Sequence, residues 1–305
     1  MAVIADKSLG NKKAGRKKWL NLWPALFVGP HLLLFVIFFL VPSVFGIYIS
    51  FTDWDLFTAP AFVGFDNYKT ILFDQDSSFH SQFYTGLENT FLFVLFAVPV
   101  CVVVPLFIAV ALSAKPKWNR MFQSLFYLPS LFAISAVMII WQFLLSVSYG
   151  PLANYFNIST NMLDNQPNAW IALVIVTVWW TIGGNMVIYL AALNGVPKDL
   201  MEAADLDGAG AVSKFIKVTL PSIKYQILFT TVMTTIAQFN VYGQPLMLTG
   251  GGPTDSTHVL LMYIQENAFG SGFSIAGISA AMAIMLGLCI MVVSAIQFYL
   301  LRDKD

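Results

Sequence analysis

The chain is divided by six apolar segments, near residues 25–51, 89–114, 122–146, 169–193, 225–248 and 275–301. Each is roughly 20–27 residues long, and about 20 helical residues cross the ~30 Å hydrocarbon core of a bilayer. With no water in that core, every backbone N–H and C=O must find a partner inside the protein, which selects helices. The pattern predicts an all-α membrane protein with six transmembrane helices. Composition agrees: 58% of residues are hydrophobic and 10% charged, against about 25% charged in an ordinary soluble domain. A net charge of zero gives no reason to expect nucleic acid as a partner. Cys101 and Cys289 lie in separate apolar segments and read as small buried hydrophobes, with no disulfide framework and no metal site.

Lys and Arg set the expected orientation. Lys7, Lys12, Lys13, Arg16, Lys17 and Lys18 precede the first segment, and Lys115, Lys117 and Arg120 follow the second. Lys198, Lys214, Lys217 and Lys224 follow the fourth, and Arg302 and Lys304 follow the sixth. All of these fall on one side of the membrane, leaving Lys69 alone on the other. Positive charge collects on the cytoplasmic side, so both termini and the 197–221 connector are expected there. The organisation read from this is a basic tail at 1–24, a membrane domain at 25–301 and a short tail at 302–305. The first segment outruns the ~7–15 apolar residues of a cleaved signal. Outside lies the connector 52–88, with Asp53, Asp55, Asp66, Asp74 and Asp76 and a short helix expected at 66–73.

The longest strongly polar interruption in the second half is 197–221, PKDLMEAADLDGAGAVSKFIKVTLP. A plain helix connector needs only about 2–8 residues. Asp199 followed by Glu202 has the spacing of a capping box. Ala203, Ala204, Gly208, Ala209, Gly210 and Ala211 carry little side-chain bulk and let another surface come close. A second short helix is expected at 211–218, ended by Pro221, which opens the next span. Two readings fit: an amphipathic helix lying on headgroups, or a docking surface for a partner. The acids Asp199, Glu202, Asp205 and Asp207 weigh against lipid, since headgroup helices favour Lys and Arg.

These residues also carry a resemblance. Glu202-Ala203-Ala204, three residues, Gly208, nine residues, then Val218-Thr219-Leu220-Pro221 resembles the EAA loop of ABC-importer permeases. Val218 stands where the commonest pattern has Ile. MEAADLDGAGAVSKFIKVTLP is similar to the sugar-permease branch, as are FVGFDNY at 62–68 and Gly250-Gly251-Gly252-Pro253. The stretch from FVGFDNY through GLENT is similar to the first of two paired permeases. The resemblance implies the ABC type I importer permease fold, with N and C termini cytoplasmic. It implies a non-enzymatic, multi-pass subunit of a sugar or oligosaccharide importer in the cytoplasmic (inner) membrane of a prokaryote. The implied partners are a second, different permease, two ATPase subunits that bind ATP and Mg²⁺, and an extracytoplasmic substrate-binding protein. This chain is expected to bind no cofactor itself, and it lacks the Gly-x4-Gly-Lys-Ser/Thr loop that cradles phosphates. The connector would be a coupling helix seated in a cleft of an ATPase subunit through Glu202, Ala203, Ala204 and Gly208, flanked by Asp205, Asp207 and Ala209. The outside loop from Thr249, TGGGPTDST, would meet the binding protein, with a plain surface turn as the alternative.

Polar residues inside the spans are the remaining signal. On the fifth segment Thr231, Thr234 or Thr235, Gln238 and Tyr242 recur at three- and four-residue steps, on one helical face. The fourth holds Thr177, Trp179, Trp180, Thr181, Gly183, Gly184 and Asn185 near its middle, where the paired glycines loosen the helix or permit close contact. Pro99 and Pro105 break the second segment, and Pro129 lies in the third. A sugar site needs amides and hydroxyls for its OH groups and an aromatic face for its C–H surface. Trp180, Thr181, Thr234 and Gln238 supply that set, although the same residue types also serve helix packing. Similarity to maltose-type relatives implies sugar-facing positions at Thr177, Trp180, Thr181, Gly184, Thr234, Ala237, Gln238 and Val241. Gly184 stands there in place of an aromatic, and Val241 in place of an amide. Proton coupling or an intramembrane enzyme would require carboxylate–histidine pairs or clustered His, Asp, Glu and Cys, and none is expected. A glycerol phosphate ester as cargo would require a basic residue inside a span, and the six segments hold none.

Overall fold

The computed structural model describes residues 22–156, 161–270 and 275–301. The basic tails lie outside the described residues apart from 22–24. Helix α1 (Leu22–Phe35) passes through a π-helical turn (Val36–Leu40) into α2 (Val41–Ile49). Strands β1 (Thr52–Asp53) and β2 (Ala61–Phe62) pair antiparallel, Thr52 opposite Phe62. There follow α3 (Asp66–Phe73), α4 (Ser78–Ser113), α5 (Asn119–Tyr127) with a 3₁₀ turn (Leu128–Leu131), α6 (Ile134–Leu145), α7 (Pro151–Phe156) and α8 (Asn168–Asn194). The polar connector contains α9 (Lys198–Leu206), α10 (Ala211–Lys214), a π-helical turn (Phe215–Thr219) and α11 (Leu220–Ser222). The chain ends in α12 (Lys224–Phe239), α13 (Gly243–Leu248), α14 (Leu260–Phe269) and α15 (Ala276–Leu301).

Among the described residues four helices are long and apolar enough to cross a membrane: Leu26–Ile49, Ser78–Ser113, Asn168–Asn194 and Ala276–Leu300. A fifth span arises if the bent pair Asn119–Leu131 and Ile134–Leu145 is counted as one. That pair turns through 100°, so the segment expected as one span at 122–146 is two helices with a break. Pro129 has no N–H to continue the ladder, and Phe132 and Ala133 are extended, with ψ of 144° and 141°. The segment 225–248 is broken as well. Helix α12 stops at Phe239, Tyr242 takes φ −146° and ψ −56°, and α13 restarts at Gly243. A Cβ on Gly243 would lie 2.5 Å from Ile134 Cδ1, so the glycine seats α13 against the start of α6. The second span departs in the other direction: α4 runs unbroken through Pro99 and Pro105, where a break was expected. It begins at Ser78 rather than near 89, with the Ser77 hydroxyl accepting from the Phe79 amide at 3.2 Å. Its 36 residues make a rod of about 54 Å, well beyond the ~30 Å core.

Contacts between helices give their directions. Phe93 of α4 meets Trp170 of α8 with ring centroids 6.1 Å apart, and further along both helices Asn185 reaches the Cys101 carbonyl at 2.9 Å. These two helices therefore run the same way. Helix α12 runs oppositely, since Thr234 meets Asn185 and Thr230 meets Tyr189. The ends of α4 and α8 and the start of α12 thus share one end of the bundle with Lys115, Lys117, Lys198, Lys214, Lys217 and Lys224. At the opposite end Gly86 of α4 touches the Leu260 backbone. There Asn67 also donates to the carbonyls of Ser50 and Thr52, both at 2.9 Å, tying the first span to α3.

The core forms where α4, α8, α12, α14 and α15 meet, around fully buried Tyr189, Phe239, Leu260 and Met282. A second cluster, with Phe93, Met138 and Leu173 fully buried, holds α6 and α13 against α4 and α8. The first span stands at the margin, with Leu26, Phe27 and Phe38 exposed. Gly183 is a point of close approach between α8 and the bent span: a Cβ there would lie 2.7 Å from Tyr127 Cα. Its neighbour Gly184 has nothing within 4 Å. The two glycines therefore separate the alternatives left open by the sequence. Gly183→Ala should cost about 1–3 kcal/mol through overpacking, whereas Gly184→Ala should change stability by less than ~1 kcal/mol, toward gain. Thermal melting of the two detergent-purified variants checks this, and coincident curves would rule out the close approach.

Candidate functional site

The polar connector is a folded helix pair. Helix α9 starts at Lys198 behind Pro197, so Asp199 lies inside the first turn and makes no cap bond. The expected capping box therefore does not form, and Asp199 contributes only its charge near the positive helix end. The other end of α9 is closed by the chain itself. Gly208 has φ +71°, Ala209 N–H donates to Ala204 C=O at 2.9 Å, and Gly208 N–H donates to Asp205 C=O at 3.1 Å. That pair of bonds is a Schellman motif, which places a left-handed residue at Gly208's position. Lys214 Nζ donates to Asp205 Oδ1 at 2.5 Å and ties α10 back to α9. The second piece does not end at Pro221. It runs on through the π turn and α11, with Pro221 in the first turn of α11, and breaks at Ile223.

This geometry sorts the expected docking residues. Asp205, Gly208 and Ala209 shape the turn. Ala204 is the buried residue of α9. Glu202, Ala203, Asp207 and Gly208 are exposed. Leu206, absent from the expected set, is 91% exposed at the tip of α9. The sequence signal for it is an apolar residue out of register with buried Ala204. A cleft of about 620 Å³ opens between the end of α8 and the start of α12, lined among others by Val187, Ala191, Pro197, Ser222 and Gln226.

Within the spans, several of the expected pathway residues meet at one level. Cys101 Sγ of α4 lies 3.8 Å from Thr181 Oγ1 and 4.0 Å from Gln238 Nε2. Asn185 donates to Cys101 C=O at 2.9 Å and to Thr234 Oγ1 at 3.0 Å. Thr177 is fully buried one turn away, its carbonyl accepting from the Thr181 hydroxyl at 2.7 Å. Trp180 is turned elsewhere: its indole donates to Phe132 C=O at the break in the bent span, at 3.2 Å. Gly184 faces open space, Ala237 is exposed and Val241 is buried. The threonine stripe of α12 divides, with Thr234 on α8 and Thr235 accepting from Gln297 of α15 at 2.9 Å. Asn240 is exposed and donates to its own helix, at Ile236 C=O. Cys101, which reads in the sequence as a plain buried hydrophobe, sits inside this polar junction.

The opposite end holds a second construction. Asn89 donates to the carbonyls of Asp255 and His258 at 2.7 and 3.0 Å, and Thr90 Oγ1 accepts from Leu260 N–H at 3.0 Å. Gly250 and Gly251 take φ +61° and +85°, and Thr257 Oγ1 donates to Gly252 C=O at 2.7 Å. GLENT and GGGPTDST are thus halves of one bonded structure. His258 stacks on Tyr263 with centroids 3.9 Å apart. Its Nδ1 is 3.6 Å from Asp255 and its Nε2 3.3 Å from Glu266. A histidine–carboxylate grouping therefore exists here, at the helix ends rather than in mid-span, where the sequence expectation of no such pair applied.

Residues 78–304 match the family described as "Binding-protein-dependent transport system inner membrane component". The chain belongs to that family. This family member is 33% identical over 285 residues to a probable ABC transporter permease protein, YesP, of Bacillus subtilis, with 91% of this chain and 90% of the relative covered. It is 31% identical to a probable starch degradation products transport system permease protein, AmyD, of Thermoanaerobacterium thermosulfurigenes (93% and 96% covered). It is 31% identical to the sn-glycerol-3-phosphate transport system permease protein UgpA of Escherichia coli (95% and 96% covered). Its fold matches a chain of a bacterial alginate ABC transporter, crystallised with an alginate pentasaccharide-bound periplasmic protein, at TM-score 0.78 and 21% identity, covering 94% and 95% of the two chains. The protein is thus a multi-pass permease subunit with the helical fold of ABC type I permeases.

The left-handed backbone at Gly208 gives a test of why a glycine stands in the connector. No heavy atom lies within 4 Å of a Cβ built there, so only the backbone resists a side chain. Gly208→Ala should lose about 1–2 kcal/mol, which speeds amide exchange across 204–209 by roughly 5–30-fold. Gly208→Asn, larger but tolerant of the left-handed region, should lose less. Exchange measured by mass spectrometry should rank Gly slowest, then Asn, then Ala. Asn exchanging faster than Ala would make steric clearance the governing factor instead.

Proposed function

We propose that this chain is one of two different permease subunits of an ATP-driven importer for a sugar or oligosaccharide in the cytoplasmic membrane of a prokaryote. It crosses the membrane six times, the broken segment 225–248 counting as one crossing, with both termini and the polar connector in the cytoplasm. The gathering of Lys115, Lys117, Lys198, Lys214, Lys217 and Lys224 at one end of the bundle supports that orientation. Two separate ATPase subunits bind ATP and Mg²⁺, and an extracytoplasmic binding protein delivers cargo.

One observation carries the reading. The connector is a folded helix pair whose two ends run directly into α8 and α12, the helices that meet at the polar junction. Helix α9 is buried at Ala204 and otherwise projects, so a partner can grip it. Glu202, Ala203 and Gly208 form the proposed docking surface, with buried Ala204 seating α9 beneath it, Asp205, Asp207 and Ala209 at its edges and Leu206 as its apolar anchor. Closure of the ATPases displaces α9, the displacement enters α8 and α12 together, and the pathway between permeases opens inward. Thr177, Trp180, Thr181, Gly184, Thr234 and Gln238 are the proposed pathway residues. A relative named for sn-glycerol-3-phosphate transport raises a phosphate ester as cargo. Against it, the described Lys and Arg all stand at span ends or in the connectors, away from the junction.

The complete transporter in proteoliposomes, with its binding protein inside the test, decides the matter. Binding-protein melting against maltotriose, arabinotriose, alginate trisaccharide and sn-glycerol 3-phosphate identifies the cargo class, and a sugar should give the shift. Uptake of that sugar should vanish when the phosphate-loop lysine of the ATPase is replaced. Uptake that survives would favour an ion-coupled carrier. Within this chain, Gln238→Leu should lower uptake roughly tenfold or more, because Gln238 is 5% exposed on the junction. Asn240→Leu, on the outer face, should lower it less than about twofold, and equal losses would make Gln238 a packing residue.

A further inference from the structure

Pro105 leaves a gap in α4. A helical N–H at position 105 would bond the carbonyl four residues earlier, which is that of Cys101, and proline has no N–H to give. Cys101 is buried, so water does not supply the missing donor. The donor comes from another helix: Asn185 Nδ2 of α8 lies 2.9 Å from Cys101 C=O. A carbonyl can only accept, so the amide nitrogen must face it. The same nitrogen donates to Thr234 Oγ1 of α12 at 3.0 Å. One turn along, Tyr189 and Thr230 join α8 to α12 again through their hydroxyls.

We infer that Asn185 is a positioning residue that latches α4 to the connector-bearing pair α8 and α12 by completing the hydrogen bond Pro105 cannot make. The proposal rests on the permease reading above and adds how motion of the connector reaches a third helix. Helices α8 and α12 flank the connector and are bonded to each other at two levels. The backbone of helix α4 is bonded to the pair through the Asn185 amide, beside the longer contacts of Cys101 Sγ with Thr181 and Gln238. With the latch closed, the three move as one body when the connector is displaced. With it open, α8 and α12 move and α4 lags. Pro105 makes the latch specific, because an ordinary residue there would satisfy Cys101 C=O within α4.

Substitution at the two positions separates the latch from simple bond completion. The transporter is assembled in lipid nanodiscs, with Cys101→Ala and Cys289→Ala to remove native thiols and leave the carbonyl in place. Spin labels are attached at Leu95→Cys of α4 and Phe229→Cys of α12, both on exposed side chains. Asn185→Leu should lower the melting temperature by about 3–6 °C. Adding Pro105→Ala should recover it to within ~1 °C, because the alanine restores an N–H that bonds the carbonyl within α4. The label-to-label distance should be the same before and after trapping ATP with vanadate in the otherwise unaltered chain. In the Asn185→Leu, Pro105→Ala double variant, folded but unlatched, trapping should shift or broaden it by more than ~2 Å, the size of a helix shift. An unchanged distance in the double variant would overturn the latch. Failure of Pro105→Ala to restore melting would overturn the bond argument. An unaltered transporter that traps no ATP would instead sink the ATP-driven reading, leaving the melting comparison to judge the bond.

Discussion

A carbonyl that loses its helical partner inside a membrane has no water to turn to, and this protein is built around answers to that constraint. Where the third span breaks after Pro129, the Trp180 indole supplies a donor to Phe132 C=O. Where α13 runs out, Gln142 supplies one to Met247 C=O at 2.6 Å. Where Pro105 interrupts α4, Asn185 supplies the third. Each donor comes from a different helix than its acceptor, so each repair of local backbone chemistry is also a tertiary contact. The breaks are thereby turned into the points that hold the bundle together.

Much of this is legible in the sequence, and the reasons for the rest are physical. Apolar length identifies the spans, because the bilayer fixes how many residues are needed. It does not show that 122–146 bends through 100°, since Phe132 and Ala133 look like helix interior and the Trp180 indole that meets the Phe132 carbonyl comes from a distant helix. The start of α4 reads too late because Ser78 through Glu88 is polar, and hydropathy reports the membrane rather than the helix. The capping box at Asp199 is a correct spacing overruled by Pro197, which starts α9 two residues earlier than that cap requires. The surroundings of His258 escape a sequence reading because its second carboxylate, Glu266, arrives from one helix further on.

The connector illustrates how a functional motif and a folding motif can share residues. Gly208 stands out in the sequence as a docking residue because it is small. Its backbone gives it a second duty, since the left-handed turn that ends α9 leaves few other choices. Asp205 likewise commits its charge to Lys214 inside the loop. What remains outward is a face of Glu202, Ala203, Leu206 and Asp207. On the docking role proposed above, the family pattern in this loop mixes residues for a partner with residues that hold the loop in shape.

The length of α4 has a mechanical consequence. Its outer stretch is bonded at Asn89 and Thr90 to the glycine-rich turn at the rim, and twelve residues further along the same helix is Cys101. At 1.5 Å per residue that is about 18 Å of continuous helix. A strut of this kind does not absorb a push; it tilts. The glycine-rich turn and the meeting point of three helices are thus joined by unbroken helix, without any loop between them.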